Sequence, residues 1–283
     1  MSTVPPTSPP EQPEERPMTA VEATLWTIGF LVSAGIVYEG AKRYSPALAH
    51  DRGFGALSQL VVLGAIVALI RWVYFPKTPV KELLALAPGR WVFYPIAFLL
   101  GVAIQFPANG LYEAVLERWP APPMTQEFAQ SFVTLPLWRK VTAGVGLLVT
   151  TPLVEELFFR GALFGTLRRR HGNIAVVVMV SMLFALVHQL PQVMLPIGMV
   201  GAAIAFLRVA SGSIWPGFVA HLGFNAVTFY VIATGLADSP EADEKMPVLW
   251  VIAGTVITAG LLALTDHLRP RDPSPTPPSE EPS

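Results

Sequence analysis

The sequence contains no cysteine, so disulfides, a thiol nucleophile and a thiolate metal site are all excluded, and cysteine usage says nothing about the redox compartment. Charge is also scarce: Asp, Glu, Lys and Arg make up 14% of 283 residues, against roughly 25% in soluble chains. A formal net charge of −1 excludes a nucleic-acid binder built on a basic field. What remains is apolar, with 52% hydrophobic residues and a mean hydropathy of +0.51. Such a chain cannot cover its core with polar surface, so lipid is its main solvent.

Proline marks the ends. Of 28 prolines, twelve lie in residues 1–17 and 270–283, segments too polar and Pro-rich to pack. Tails over 1–20 and 269–283 are expected to be disordered, flanking a membrane domain over 21–268. The N-terminus is acidic and no small-residue cleavage site follows a short apolar run, so no cleavable leader is expected.

Between the tails, apolar runs near the 20 residues needed to cross a bilayer follow one another. They fall at about 23–38, 56–70, 91–112, 141–167, 173–190, 194–209, 214–234 and 247–265. The fifth and sixth come from one 36-residue stretch without Asp, Glu, Lys or Arg, over 172–207. As one helix it would reach about 54 Å, so Pro191 and Pro196 are taken to divide it. The fold class is therefore all-α: a polytopic membrane protein of eight helices. Residues Glu127 to Leu135, with Phe128, Phe132 and Leu135 on one face, fit a short interfacial helix or a Pro-rich loop on the headgroups. With the N-terminus inside, the cytoplasmic connections carry eleven Lys and Arg against seven outside, which favours both termini in the cytoplasm.

A few polar residues interrupt these runs, at a cost of about 3 to 10 kcal/mol for each ionised group. They are Glu155, Glu156, Arg160, His188 and His221, with the amide Asn225. Glu156 and Arg160 are four apart with the acid first, the favourable order for a helical ion pair. Glu155 is displaced about 100° from Glu156 and so faces another neighbour. Pro152 should free a carbonyl near Leu148 and bend the helix. Phe184 with His188, and His221 with Asn225, share helix faces at the same spacing. Taken singly, the Glu156–Arg160 pair reads as a staple and each histidine as a helix–helix hydrogen bond. Glu155, unpaired in its own helix, resists that reading.

Depth is consistent for two of the groups. Glu155 lies about 20 Å from Arg168 along its helix, and His188 about 21 Å from Ile174, measured from the same membrane face. His221 would sit only about 8–10 Å deep if its helix starts near Trp215, so that helix must tilt or start recessed.

A carboxylate in a low-dielectric pocket has a raised pKa and can act as a general base on water. Histidines beside it can share the water or protonate a leaving amine, and an imidazole and an amide can stabilise an oxyanion. Together these describe amide hydrolysis. Two histidines and a glutamate are also a zinc set, although the H-E-x-x-H pattern is absent. An aspartyl mechanism lacks its two intramembrane aspartates, because all five aspartates lie outside the runs. A serine mechanism from Ser181 and His188 lacks a Gly-x-Ser context.

Glu155-Glu156-x-x-x-Arg160-Gly161, then Phe184-x-x-x-His188, then His221-x-x-x-Asn225, resemble the three motifs of the CPBP family. These are CAAX-protease and bacteriocin-processing enzymes, also known as abortive-infection proteins and including the type II CAAX prenyl endopeptidases. The motif region covers about 140–235. The resemblance implies a glutamate-dependent intramembrane endopeptidase, a hydrolase acting on a membrane-embedded or lipidated peptide. Glu155 would activate water, His188 would assist, and His221 with Asn225 would form the oxyanion side. Glu156, Arg160 and Phe184 would organise the site. No cofactor is implied; a zinc ion, were one used, would fall to Glu155, His188 and His221. Alternatives are a non-proteolytic membrane scaffold of the same fold and a proton-coupled transporter, although no internal repeat supports transport. Short loops and Ala/Arg/Pro-rich composition point to a bacterial inner membrane.

Overall fold

The computed structural model describes residues 14–49, 51–120, 134–236 and 245–270. Most of both expected tails, most of the expected interfacial helix and most of the acidic loop at 238–245 lie outside these residues. The N-terminal tail was expected to run to residue 20. Instead, Met18 is fully buried, the Arg16 amide donates to the Tyr74 carbonyl, and the Thr78 hydroxyl donates to Glu15.

Among the described residues every regular element is helical. Helix α1 (Ala20–Tyr44) opens on a capping box in which Thr19 and Glu22 satisfy each other's backbone amides. It is followed by the short α2 (Pro46–Ala49), by α3 (Arg52–Tyr74), which Asp51 caps, and by the short α4 (Val80–Leu83). The third span breaks at Ile104 into α5 (Phe93–Ala103) and α6 (Gln105–Leu116). Pro107 lies just inside α6, where it cannot donate back to the carbonyl of α5. Helix α7 (Leu137–Leu167) is continuous but π-helical over Gly146–Thr150 and Glu156–Leu163. Then follow α8 (Asn173–Leu186), α9 (Pro191–Ser211), α10 (Trp215–Thr234) and α11 (Val248–His267). Glycines in the left-handed conformation, Gly212 and Gly235, end α9 and α10.

Seven of these helical spans are long and apolar enough to cross a membrane, and the 14-residue α8 is the eighth apolar helix. The protein is an all-α, polytopic membrane protein. Several boundaries differ from expectation, and three of them bear on the site or on the polar residues. Helix α8 stops at Leu186 rather than 190, because the chain must leave the α region before Pro191, and Gln189 does so at φ 55°. Helix α9 starts at Pro191, which needs no donor at that position, and it absorbs Pro196. Helix α11 runs on to His267, taking Asp266 into its last turn.

The most extensive helix pairings are α5 with α10 and α8 with α9. Helices α5 and α10 approach so closely that a Cβ on Gly101 would sit 2.0 Å from the Ala220 carbonyl oxygen, and one on Gly223 would sit 2.7 Å from that of Phe98. In lipid, where burial gives no hydrophobic gain, such backbone approach is a main source of helix association.

Candidate active site

The site is built on the two π-helical stretches of α7. In the first, the Thr151 amide donates to the Gly146 carbonyl, five residues back. In that register the next donor would serve Leu147, but it is Pro152 and has no N–H. The Asn225 side-chain amide takes its place, donating to the Leu147 carbonyl at 2.8 Å. The freed carbonyl is thus Leu147 rather than Leu148, because the turn is π and not α. Asn225 is committed to it through one hydrogen of its amide.

The second π stretch begins at Glu156 and places Glu156 and Arg160 together with no solvent exposure. One Arg160 Nη donates to Glu156 Oε1 at 2.9 Å and the other to the Gly201 carbonyl at 2.9 Å. The guanidinium also lies 4.5 Å from the Phe184 ring centroid, a cation–π contact in a desolvated setting. Glu156 Oε2 has no hydrogen-bond partner among the described residues. A Cβ on Gly217 would stand 2.9 Å from that oxygen, so only glycine admits the α10 backbone here.

His221 joins the two carboxylates. Its Nδ1 is 3.2 Å from Glu156 Oε1 and its Nε2 is 3.6 Å from Glu155 Oε2. The expectation that Glu155 faces a separate neighbour is corrected: both acids reach one imidazole, because the two nitrogens of the His221 ring point apart and each meets a different carboxylate. Glu156 is paired with Arg160, so His221 Nδ1 is placed to donate to it and Nε2 is the ring nitrogen that faces Glu155. The Glu155 side chain keeps 12% exposure, a carboxyl nearly but not wholly enclosed.

His221 reaches this depth because α10 starts recessed. Ser213 and Ile214 are buried beneath the segment between α4 and α5. The Ile214 amide donates to Ala85 and the Trp215 indole to Leu86. Ala85 adopts φ 51° to aim that carbonyl, at about 1–2 kcal/mol for a non-glycine residue.

His188 lies in the turn after α8, half-buried, with Nδ1 2.9 Å from the Phe184 carbonyl. A carbonyl only accepts, so the neutral ring carries its proton on Nδ1 and offers Nε2 as a base. Among the described residues no hydrogen bond or ion pair joins His188 to Glu155. The Phe184 ring stands edge-on to both imidazoles, with centroids at 5.0 Å to His188 and 5.7 Å to His221. Ser181 is spent: its hydroxyl donates to the Val177 carbonyl at 2.6 Å. Among the described residues no group of three or more His, Asp or Glu side chains is arranged to hold a metal.

Three supporting groups escape sequence reasoning. The Gly201 carbonyl is backbone and leaves no signature. Arg208, buried in the last turn of α9, donates from Nε to the Arg160 carbonyl at 3.2 Å. Gln105 donates to the Phe224 carbonyl and the Thr228 hydroxyl, pinning α10 on both sides of Asn225. An amide inside an apolar run is a readable signal for Gln105.

Residues 137–227, which contain every motif residue, match the family model described as type II CAAX prenyl endopeptidase Rce1-like. The chain is also similar to "Putative membrane peptidase YdiL" of Bacillus subtilis (strain 168), at 26% identity over 69% of this chain and 77% of that protein. No solved structure matches the chain. The family resemblance carried by the three motifs is borne out over the third of the chain that bears them. At the level of family, an intramembrane protease is supported.

Proposed function

We propose that the protein is an intramembrane endopeptidase that hydrolyses a peptide bond of a membrane-embedded or lipidated peptide, with Glu155 as the general base. Water between Glu155 and the scissile carbonyl gives a proton to the carboxylate as its oxygen bonds to the carbonyl carbon. The tetrahedral oxyanion is met by the second amide hydrogen of Asn225. The proton held by Glu155 then passes to the amide nitrogen, directly or through His188. The C–N bond breaks, leaving a carboxyl and an amine. Glu156, Arg160 and Phe184 act by positioning: they fix the tautomer and plane of His221, as a carboxylate behind a histidine does in other hydrolases.

The observation that carries the reading is the 3.6 Å approach of Glu155 Oε2 to His221 Nε2, with the other ring nitrogen held by a buried Glu–Arg pair. The basic-residue asymmetry between connections supports both termini in the cytoplasm, and the composition supports a bacterial inner membrane.

The test compares membrane peptides from cells carrying the native protein with those from cells carrying Glu155→Ala. New peptide termini present only with the native protein are expected. Identical termini in both, with the variant folded and inserted, would sink the proposal.

A further inference from the structure

About 15 Å along α7 from Glu155, at the arginine-bearing end of the bundle, lies a cavity that the proposed chemistry does not use. It has a volume of about 310 Å³ and is lined by Glu82, Leu83, Gly165, Arg168, Arg169 and Arg208. Its floor is Arg208, 7% exposed, with a guanidinium fixed by the Arg160 carbonyl through Nε and packed 5.2 Å from the Phe164 ring centroid. That bond uses Nε alone; among the described residues neither terminal nitrogen of the fork has a hydrogen-bond partner, and the residue lines the cavity. Arg168, at the rim, bears on Arg208 as a like charge. Among the described residues neither arginine has a carboxylate partner.

Arg169 differs. It reaches Glu15 and the Thr78 hydroxyl, each at 3.3 Å, and stacks on Phe75, so its charge is already answered. Three guanidinium groups thus face two carboxylates, Glu82 on the wall and Glu15 behind Arg169, an excess of one positive charge. Burying such a group beside a like charge is costly unless an anion completes it. The planar fork suits oxygen pairs, and an interfacial basic pocket between spans suits a headgroup.

We propose that this cavity is a phosphate-binding site, with Arg208 as its buried anchor and Arg168 as its gate, taking the phosphate of an anionic lipid headgroup or a free phosphate ion. A phosphodiester headgroup carries the single negative charge that the site lacks, and a free phosphate ion near neutral pH carries between about one and two.

The experiment uses the purified full-length protein in detergent. One arm counts retained phosphatidylglycerol against diacylglycerol of the same chains by native mass spectrometry. The other follows the unfolding temperature as inorganic phosphate is added. Arg168→Gln is the main variant, because its side chain is exposed and its loss leaves no hole. Arg208→Lys, which keeps charge but loses the fork, is the second.

Arg168→Gln is expected to weaken retention about tenfold, the scale of one lost charged hydrogen bond. Arg208→Lys should fall between it and the native protein. An effect confined to phosphatidylglycerol assigns the lipid source, and one confined to inorganic phosphate assigns the free ion. Native protein and Arg168→Gln behaving alike in both arms would overturn the site.

Discussion

Helices α9 and α1 are comparable in length and hydropathy, 21 residues at 2.0 and 25 residues at 1.7, yet they occupy opposite situations. In the most apolar window of α9, 56% of the residues are buried inside the protein; in that of α1, 17% are. Helix α1 turns Val21, Leu25, Val32 and Ile36 outward. Helix α9 gives its Gly201 carbonyl to Arg160, while its Arg208 holds the Arg160 carbonyl in return. Apolarity places both helices in lipid and says nothing about which lies at the centre. Polar pairing and close backbone approach decide that, because lipid offers neither.

The sharpest division between centre and rim is functional. Glu155→Gln is expected to lower turnover by about 10²- to 10⁴-fold, the usual weight of a general base, with the unfolding temperature unchanged. Ile36→Ala, on the outward face of α1, should leave turnover as it is. Quantifying the cleaved product for both variants, once a substrate is in hand, checks the pair. Comparable losses would mean that the rim takes part in the chemistry.

Next in size is the ion pair. Arg160→Met leaves the buried Glu156 without its cation and with only the His221 imidazole beside it, at a cost of about 3–5 kcal/mol. Combining Glu156→Gln with Arg160→Met should recover much of that stability while still disordering His221. Reversible unfolding in mixed detergent, read against turnover, separates the two effects. A fully stable single variant would show that Glu156 is not held as an anion.

These two predictions rest on parts of the site that were legible in unequal measure. The Glu156–Arg160 pair follows from a four-residue spacing that survives even in a π-helical turn. The turn itself does not, since no side-chain pattern encodes a five-residue hydrogen-bond register. An α register therefore puts the freed carbonyl one residue away, and spacing alone does not show that one imidazole can meet both acids. The early end of α8 had a signal in Pro191, outweighed by the unbroken apolar run through it. The depth of His221 was legible only as a conflict, resolved by a loop that roofs the start of α10. The family resemblance reached the residues of the site but not their connections, because Gly201 and Leu147 contribute only backbone oxygens.

Glycines extend the comparison to packing. Gly101→Ala would press a methyl into the Ala220 carbonyl and separate α5 from α10. A loss of about 1–3 kcal/mol is expected, the range for overpacking. Gly64→Ala in α3 meets nothing within 4 Å, so it should be neutral or stabilise by up to about 1 kcal/mol through helix propensity. Matched unfolding curves decide it. Equal effects would mean that α5 and α10 are not in tight contact.

The smallest effect belongs to the ion pair between Lys245 and Glu117, which links the start of α11 to the end of α6 outside the spans. Their mutual hydrogen bond lowers the Glu117 pKa from its ordinary 4.5 and raises that of Lys245 from 10.5. A lowered carboxylate pKa adds stability that is present above 4.5 and is lost as pH falls through the folded value. A raised ammonium pKa adds stability that is present below 10.5 and is lost as pH rises through its folded value. The pair therefore stabilises on a plateau between those limits. Both partners are exposed, so salt should flatten it. In Glu117→Gln the acid-side slope from this pair should vanish and the salt dependence with it, measured by unfolding temperature from pH 3 to 7. The buried Glu156–Arg160 pair, out of reach of counterions, should show no such salt dependence. A rim variant insensitive to salt and a central variant sensitive to it would reverse the division on which the site depends.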